Sequence, residues 1–223
     1  MVYDKTKREP LSWSRNEDIN DVKICLQNDQ IVISSTDTIC GFLTNGTEES
    51  FKKLHDIKGE RGDKPYLVLT SLKKLDQFVD VTLLSKKMQN VIKHCWPGPL
   101  TIIFKAKKDL SNFLVSRAGT IALRCPCHDG LQDLLKGFDG LFSTSANKSG
   151  KTAPSFISQV DSELLKDVEC VIGDNNENKE LPSSIIDFSH VDFTSQDKEQ
   201  EKLQVVREGA FSREELERYY EEV

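Results

Sequence analysis

Residues 85–104 read SKKMQNVIKHCWPGPLTIIF, and they pass from a helix through a hard stop into a strand. Met88, Val91, Ile92 and Cys95 recur at three- and four-residue spacing, which places them on one helical face. Trp96-Pro97-Gly98-Pro99 ends that helix, because each proline fixes φ and removes a backbone donor. Leu100 to Phe104 then reads as a strand. Working outward, Asn16 to Asn28 predicts a helix with Ile19, Val22, Cys25 and Leu26 inward. Thr47 can cap a second helix that buries Phe51, Leu54 and Ile57. Strands are expected over Ile31–Ser34, Tyr66–Leu69, Thr120–Arg124, Leu141–Thr144, Val168–Ile172, Ser184–Phe188 and Leu203–Val206. A short helix falls around Leu131 to Leu135. A closing helix runs from Ser212 to Tyr220, with Ser212 and Glu215 spaced as a capping box.

Helices and strands alternate without a strict repeat. That predicts one α/β domain with a twisted, mixed, open sheet flanked by helices, over residues 16–220. Residues 1–15 are polar and read as a loose N-terminal arm. Two polar stretches, Asp174 to Glu180 and Ser189 to Lys202, read as loops.

The 223 residues suffice for one sizeable domain, and 37% hydrophobic with 30% charged residues fits a folded chain. No apolar run reaches the roughly 20 residues of a membrane span, and the first fifteen carry no apolar leader. A cytoplasmic protein without membrane contact is expected. Net charge −6 argues against a broadly basic nucleic-acid coat. The six cysteines are scattered, which fits reduced thiols better than a disulfide framework.

Several motifs carry polar chemistry, each beside a bland reading. Ser145-Ala-Asn-Lys-Ser-Gly-Lys-Thr152 nearly spells a phosphate-binding P-loop. Pro154 opposes the helix that such a loop must enter, and Ser145 stands where bare backbone is needed. Lys58-Gly-Glu-Arg-Gly-Asp-Lys-Pro65 is a solvated charge run on composition alone. As an alternative, its three cations can hold a triphosphate by charge-assisted hydrogen bonds. Cys125-Pro-Cys-His128 lacks the second ligand pair of a zinc site and reads as strand-end packing. Arg124, just before it, can hold a carboxylate. Thr36, Asp37 and Thr38 are either a polar turn or a row of short groups facing a ligand. The four histidines make no pattern.

In order, these pieces resemble the YrdC-like threonylcarbamoyl-AMP synthase family. Ser35-Thr36-Asp37-Thr38-Ile39-Cys40-Gly41 resembles its P-T-[DE]-T-x-x-G element, and Lys58 to Pro65 its K-x-R loop. Trp96 to Thr101 matches its W-P-G-P-x-T element, and Ala122 to Pro126 resembles its V-x-R-x-P strand end. Ser145-Ala146-Asn147 with Ser149-Gly150 matches its S-x-N loop. Ser183-Ser184-Ile185 resembles its S-T-I element, and Val206 to Gly209 its L-R-x-G ending. The likeness covers about residues 20–218. Ser35 and Glu208 stand where the family has proline, and Arg61 sits one position later than its usual slot.

The resemblance implies a short, single-domain member that makes threonylcarbamoyl-AMP and pyrophosphate from L-threonine, bicarbonate or CO2, and ATP. By family position, Thr36, Arg124, Ser143 and Ser183 hold threonine. Lys58, Arg61, Lys64, Thr101, Ser145, Asn147 and Arg207 contact ATP, with Lys58 and Arg61 catalytic and Mg2+ accompanying the nucleotide. The product passes to a tRNA threonylcarbamoyl-transfer complex, so the chain serves N6-threonylcarbamoyladenosine formation in tRNA. The rivals are a tRNA- or double-stranded-RNA-binding module and a diverged nucleotide-binding relative without synthase activity.

Overall fold

The computed structural model describes residues 9–59, 65–148, 150–173, 181–190 and 202–222. Six α-helices appear among them: α1 (Asn16–Gln27), α2 (Glu48–Lys58), α3 (Leu75–Phe78), α4 (Lys86–Cys95), α5 (Asp129–Leu135) and α6 (Arg213–Glu221). Their starts follow capping chemistry. Thr47 Oγ1 accepts from the Ser50 amide at 3.1 Å and Ser85 Oγ from the Met88 amide at 3.3 Å. At α6, Ser212 and Glu215 cap reciprocally, as their spacing predicts. His128, unassigned from the sequence, caps α5 by accepting from the Leu131 amide at Nδ1.

Among the described residues nine strands form one sheet: β1 (Val32–Ser34), β2 (Gly41–Asn45), β3 (Leu67–Leu69), β4 (Leu100–Lys105), β5 (Thr120–Arg124), β6 (Leu141–Ser145), β7 (Cys170–Ile172), β8 (Ser184–Asp187) and β9 (Gln204–Arg207). The order is β7-β1-β2-β6-β3-β5-β4-β8-β9. Pairs β1/β7, β3/β5 and β4/β8 are parallel, and the remaining five are antiparallel. The sheet is therefore mixed and open, as expected. No described helix is long and apolar enough to cross a membrane.

Alternation along the strands decides where a ligand can sit. Phe42, Ile102, Leu123, Phe142 and Ile186 point to one face. There they join Leu54 of α2, four residues of α4, and Leu216 and Tyr220 of α6. Val32, Leu43, Leu69 and Leu141 point to the other face and pack against α1 and α5 through Val22, Leu26, Leu131 and Leu134. That second core covers the β7-β1-β2-β6 end and reaches Leu69 of β3. Alternate side chains of β3, β4, β5 and β8 on the same face, namely Leu67, Ile103, Ala122 and Ile185, line a cavity instead.

Two expectations change. The loose arm is seated over residues 9–15: the Leu11 amide donates to the Val171 carbonyl at 2.8 Å, and Trp13 is buried with Nε1 donating to Ser35 Oγ at 3.1 Å. Its indole occupies the space a side chain at Gly130 would need. Strand β2 was not expected. Its Gly-Phe-Leu-Thr-Asn run is short and opens on a glycine, so local preference for a strand is weak. Pairing on both edges with β1 and β6 supplies what local preference does not.

Candidate active site

The cavity has a volume of about 640 Å3. Its floor is the apolar sheet face just described. Its polar groups come from strands and adjoining turns far apart in sequence: Thr36, Thr38, Thr101, Arg124, Ser143, Ser145, Asn147, Ser183 and Arg207. Eight of the residues expected to touch threonine or ATP thus share one concavity. Ser143 is mid-strand, and Thr101 lies one residue into β4. The site therefore lies across the face of the sheet as well as at its ends, where α/β ligand sites usually form. The reason is that helices leave this part of the face uncovered.

Arg124 closes β5 and is 3% exposed. Its Nη1 donates to Thr38 Oγ1 at 2.7 Å, and its Nη2 lies 3.1 Å from Asp37 Oδ1. The Asp37 side chain is wholly buried, and its Oδ2 accepts from the Cys127 amide at 2.9 Å. Arg124 Nε has no hydrogen-bond partner among the described residues. Burial lowers the guanidinium's proton affinity, and the Asp37 charge opposes that fall. A buried arginine with one donor still uncommitted is prepared for an anionic or carbonyl ligand.

Arg207, at the end of β9, guards the mouth. The residue as a whole is exposed, but its head is tucked against the rim. Nη2 and Nε donate to the Ser183 carbonyl at 2.7 and 3.1 Å. Ser183 Oγ lies 2.8 Å from Thr101 Oγ1, so one hydroxyl pair joins β4 to the turn before β8. Gly209 keeps that turn tight, since a Cβ there would meet the Pro182 carbonyl. Burial of the head lowers the Arg207 pKa first, and repulsion from Arg124 lowers it further. Two guanidiniums thus raise the positive potential of one cavity.

Lys58 is placed differently from its expected role. It is buried at the end of α2, and its ammonium donates to the Ser145 carbonyl at 2.9 Å, the Asn147 carbonyl at 2.6 Å and Asn147 Oδ1 at 3.1 Å. It stands behind the Ser145–Asn147 segment and is not part of the wall. Ser145 Oγ donates to Asn147 Oδ1 at 2.6 Å, and Asn147 Nδ2 donates to the Lys151 carbonyl. Arg61 and Lys64 lie outside the described residues. Among the described residues no α-helix opens directly after this segment, and the Pro154 carbonyl accepts from the Cys40 amide. That is not P-loop geometry.

The structure adds what sequence reasoning missed. For Asp37 and Thr38, already singled out as polar positions, the new fact is that they hold Arg124; Lys151, which was not expected in the site, brings a further cation to the wall. The row Thr36-Asp37-Thr38 signals a polar turn, but only the fold shows that its carboxylate turns inward. The described cavity wall presents hydroxyls, an amide, guanidiniums and an ammonium, and no carboxylate. Among the described residues the wall therefore offers a divalent cation no anionic ligand.

The family Sua5_yciO_yrdC, described as telomere recombination, matches residues 25–209. A provisionally named threonylcarbamoyl-AMP synthase of Methanocaldococcus jannaschii is 32% identical over 82% of this chain and 81% of its own length. Pyrococcus abyssi Sua5, solved in complex with L-threonine, superposes with TM-score 0.79 at 22% identity, over 94% of this chain and 59% of that one. Escherichia coli YciO superposes with TM-score 0.73 at 20% identity, over 89% of this chain and 92% of that one. The two solved structures share its fold.

Proposed function

The chain belongs to the Sua5_yciO_yrdC family, and from that membership we propose that it is a threonylcarbamoyl-AMP synthase, acting in threonylcarbamoyladenosine formation in tRNA. The observation that carries this reading is the single cavity in which Arg124 and Arg207 face the same space amid hydroxyls. Such a space suits two anions that must be brought together, a carbamate and a triphosphate.

The chemistry is a nucleotidyl transfer. The threonine amine forms an N–C bond to CO2 and sheds a proton, or forms it to bicarbonate, where that proton leaves with the hydroxyl as water. A carbamate oxygen then attacks the α-phosphorus of ATP while the bond to the β-phosphate bridge breaks, so pyrophosphate leaves. No protein nucleophile is needed. The residues contribute position and charge, and holding two reactants in line accounts for up to ~7–11 kcal/mol of barrier.

Arg124 pairs with the threonine carboxylate through Nε and the edge not taken by Asp37. Thr36, Ser143 and Ser183 surround the rest of the amino acid. Thr101, Ser145, Asn147 and Arg207 line the nucleotide side, joined by Lys151. Lys58 acts on the nucleotide through the Ser145–Asn147 segment, whose backbone it fixes. ATP enters with magnesium held by its phosphates. The catalytic domain spans 16–220, and the product is handed to a tRNA-modifying transferase.

The test incubates the pure chain with ATP, magnesium, threonine and bicarbonate. Pyrophosphate release that stops when either threonine or bicarbonate is withheld supports synthase activity. Nucleotide binding without release points to a diverged relative. Steeply salt-dependent tRNA binding without release points to an RNA module.

A further inference from the structure

Away from the cavity, two cysteines meet between α1 and the sheet edge. Cys25 lies on α1 and is half-buried, while Cys170 opens β7 and is buried. Their sulfurs are 4.0 Å apart, with the Cys170 thiol directed at Cys25. They are 145 positions apart in sequence, so the fold alone brings them together. We propose that Cys25 and Cys170 are an oxidative modification site that closes to a disulfide under a small disulfide oxidant such as glutathione disulfide.

The two cysteines have unequal parts. Cys25 is the more accessible and accepts the Cys170 S–H, which favours its thiolate. Desolvation and the carboxylates of Glu169 and Asp21 oppose that effect but come after it. The same contact and burial push the Cys170 thiol well above its ordinary value, so Cys25 attacks first and Cys170 resolves. The Cys25 thiolate attacks one sulfur of glutathione disulfide. The S–S bond breaks, and the first glutathione leaves and takes up the Cys25 proton. Cys170 then attacks the Cys25 sulfur of the mixed disulfide and gives its proton to the departing second glutathione. Two protein thiols are oxidised, and one glutathione disulfide is reduced to two thiols.

Other described cysteines are poorer competitors for an internal link. Cys40, Cys95 and Cys125 are buried, and burial pushes the Cys95 thiol up to about 12. Cys127 is exposed and can take a mixed disulfide. The closed link would tie α1 to the strand beside β1. Strand β1 runs directly into Ser35–Thr38, and the Ser35 amide donates to the Ile172 carbonyl at 2.9 Å. The modification therefore lies one strand from the cavity rim.

The full-length chain, reduced and then equilibrated with glutathione disulfide, is alkylated, digested and mapped by mass. The expected product is a peptide pair joined through Cys25 and Cys170, lighter by two hydrogens and lost in Cys25→Ser and in Cys170→Ser. Dithiothreitol should restore both thiols. The closed form should melt roughly 4–10 °C higher, since a long loop is closed. Cys25 recovered only free or as a mixed disulfide, or a cross-linked form that melts lower than the reduced one, would overturn the proposal.

Discussion

Replacing Asp37 by asparagine should cost the fold about 3 kcal/mol, and the loss should depend on Arg124. The Asp37 side chain is 0% exposed and that of Arg124 is 3% exposed, at a separation of 3.1 Å. Breaking a buried pair by removing one charge costs ~3–5 kcal/mol, because the remaining charge is left desolvated. Asparagine keeps an acceptor for the Cys127 amide, which puts the cost at the lower end. Asp37→Ala loses that hydrogen bond as well and should cost roughly 1 kcal/mol more. Arg124→Met strands the carboxylate instead and should cost a similar ~3–5 kcal/mol. The double variant holds neither charge, so its cost should fall about 2–3 kcal/mol short of the two single costs added. Equilibrium unfolding in urea, with the slope checked for constancy, measures all four proteins. Additive single costs, or a loss under about 1 kcal/mol for Asp37→Asn, would refute a buried counter-ion holding Arg124 in place.

Arg124→Ala should weaken threonine binding by ~2–5 kcal/mol while leaving ATP affinity within a few fold, as read by calorimetry with each ligand. Equal threonine affinity would remove that role. Lys58→Met should lower threonine-dependent pyrophosphate release by at least tenfold, because three contacts to Ser145 and Asn147 are lost; an unchanged rate would show that the segment holds itself. Ser212→Ala removes the cap of α6 and should cost ~0.5–2 kcal/mol, with the turnover of the folded protein unaltered. Hydrogen bonds from the Ser212 amide and hydroxyl hold the Glu215 carboxyl below its ordinary 4.5. A depressed folded-state pKa means the unfolded chain binds the extra proton first, so stability from this group is full above 4.5 and fades as pH falls through the lowered value. The gap between wild type and Ser212→Ala should therefore shrink in acid, and a gap that widens there would contradict the capping box.

The fold was legible where local chemistry and tertiary need agree. The Met88-Val91-Ile92-Cys95 face, the Trp96–Pro99 stop and the Ser212 cap could each be read from a few adjacent residues, and each recurs in the structure. Strand β2 was not legible, because its reason for being extended lies in β1 and β6 rather than in itself. The site was legible as a set of polar positions, and eight of them line one cavity. Their depth was not. Nothing in the order of residues separates Lys58, one layer behind the wall, from Lys151 on it. Nor does Thr-Asp-Thr reveal that the central carboxylate turns away from the ligand toward Arg124. Trp13 shows the same limit, since a lone tryptophan in a polar arm gives no sign of the Gly130 surface that receives it.

Crystals of the chain grown with L-threonine and a non-hydrolysable ATP analogue test the central claim most directly. The amino acid's carboxylate should lie within hydrogen-bond distance of Arg124, with its amine turned toward a triphosphate bordered by Asn147 and Arg207. Either ligand seated outside this cavity, or a threonine whose carboxylate points away from Arg124, would contradict the account.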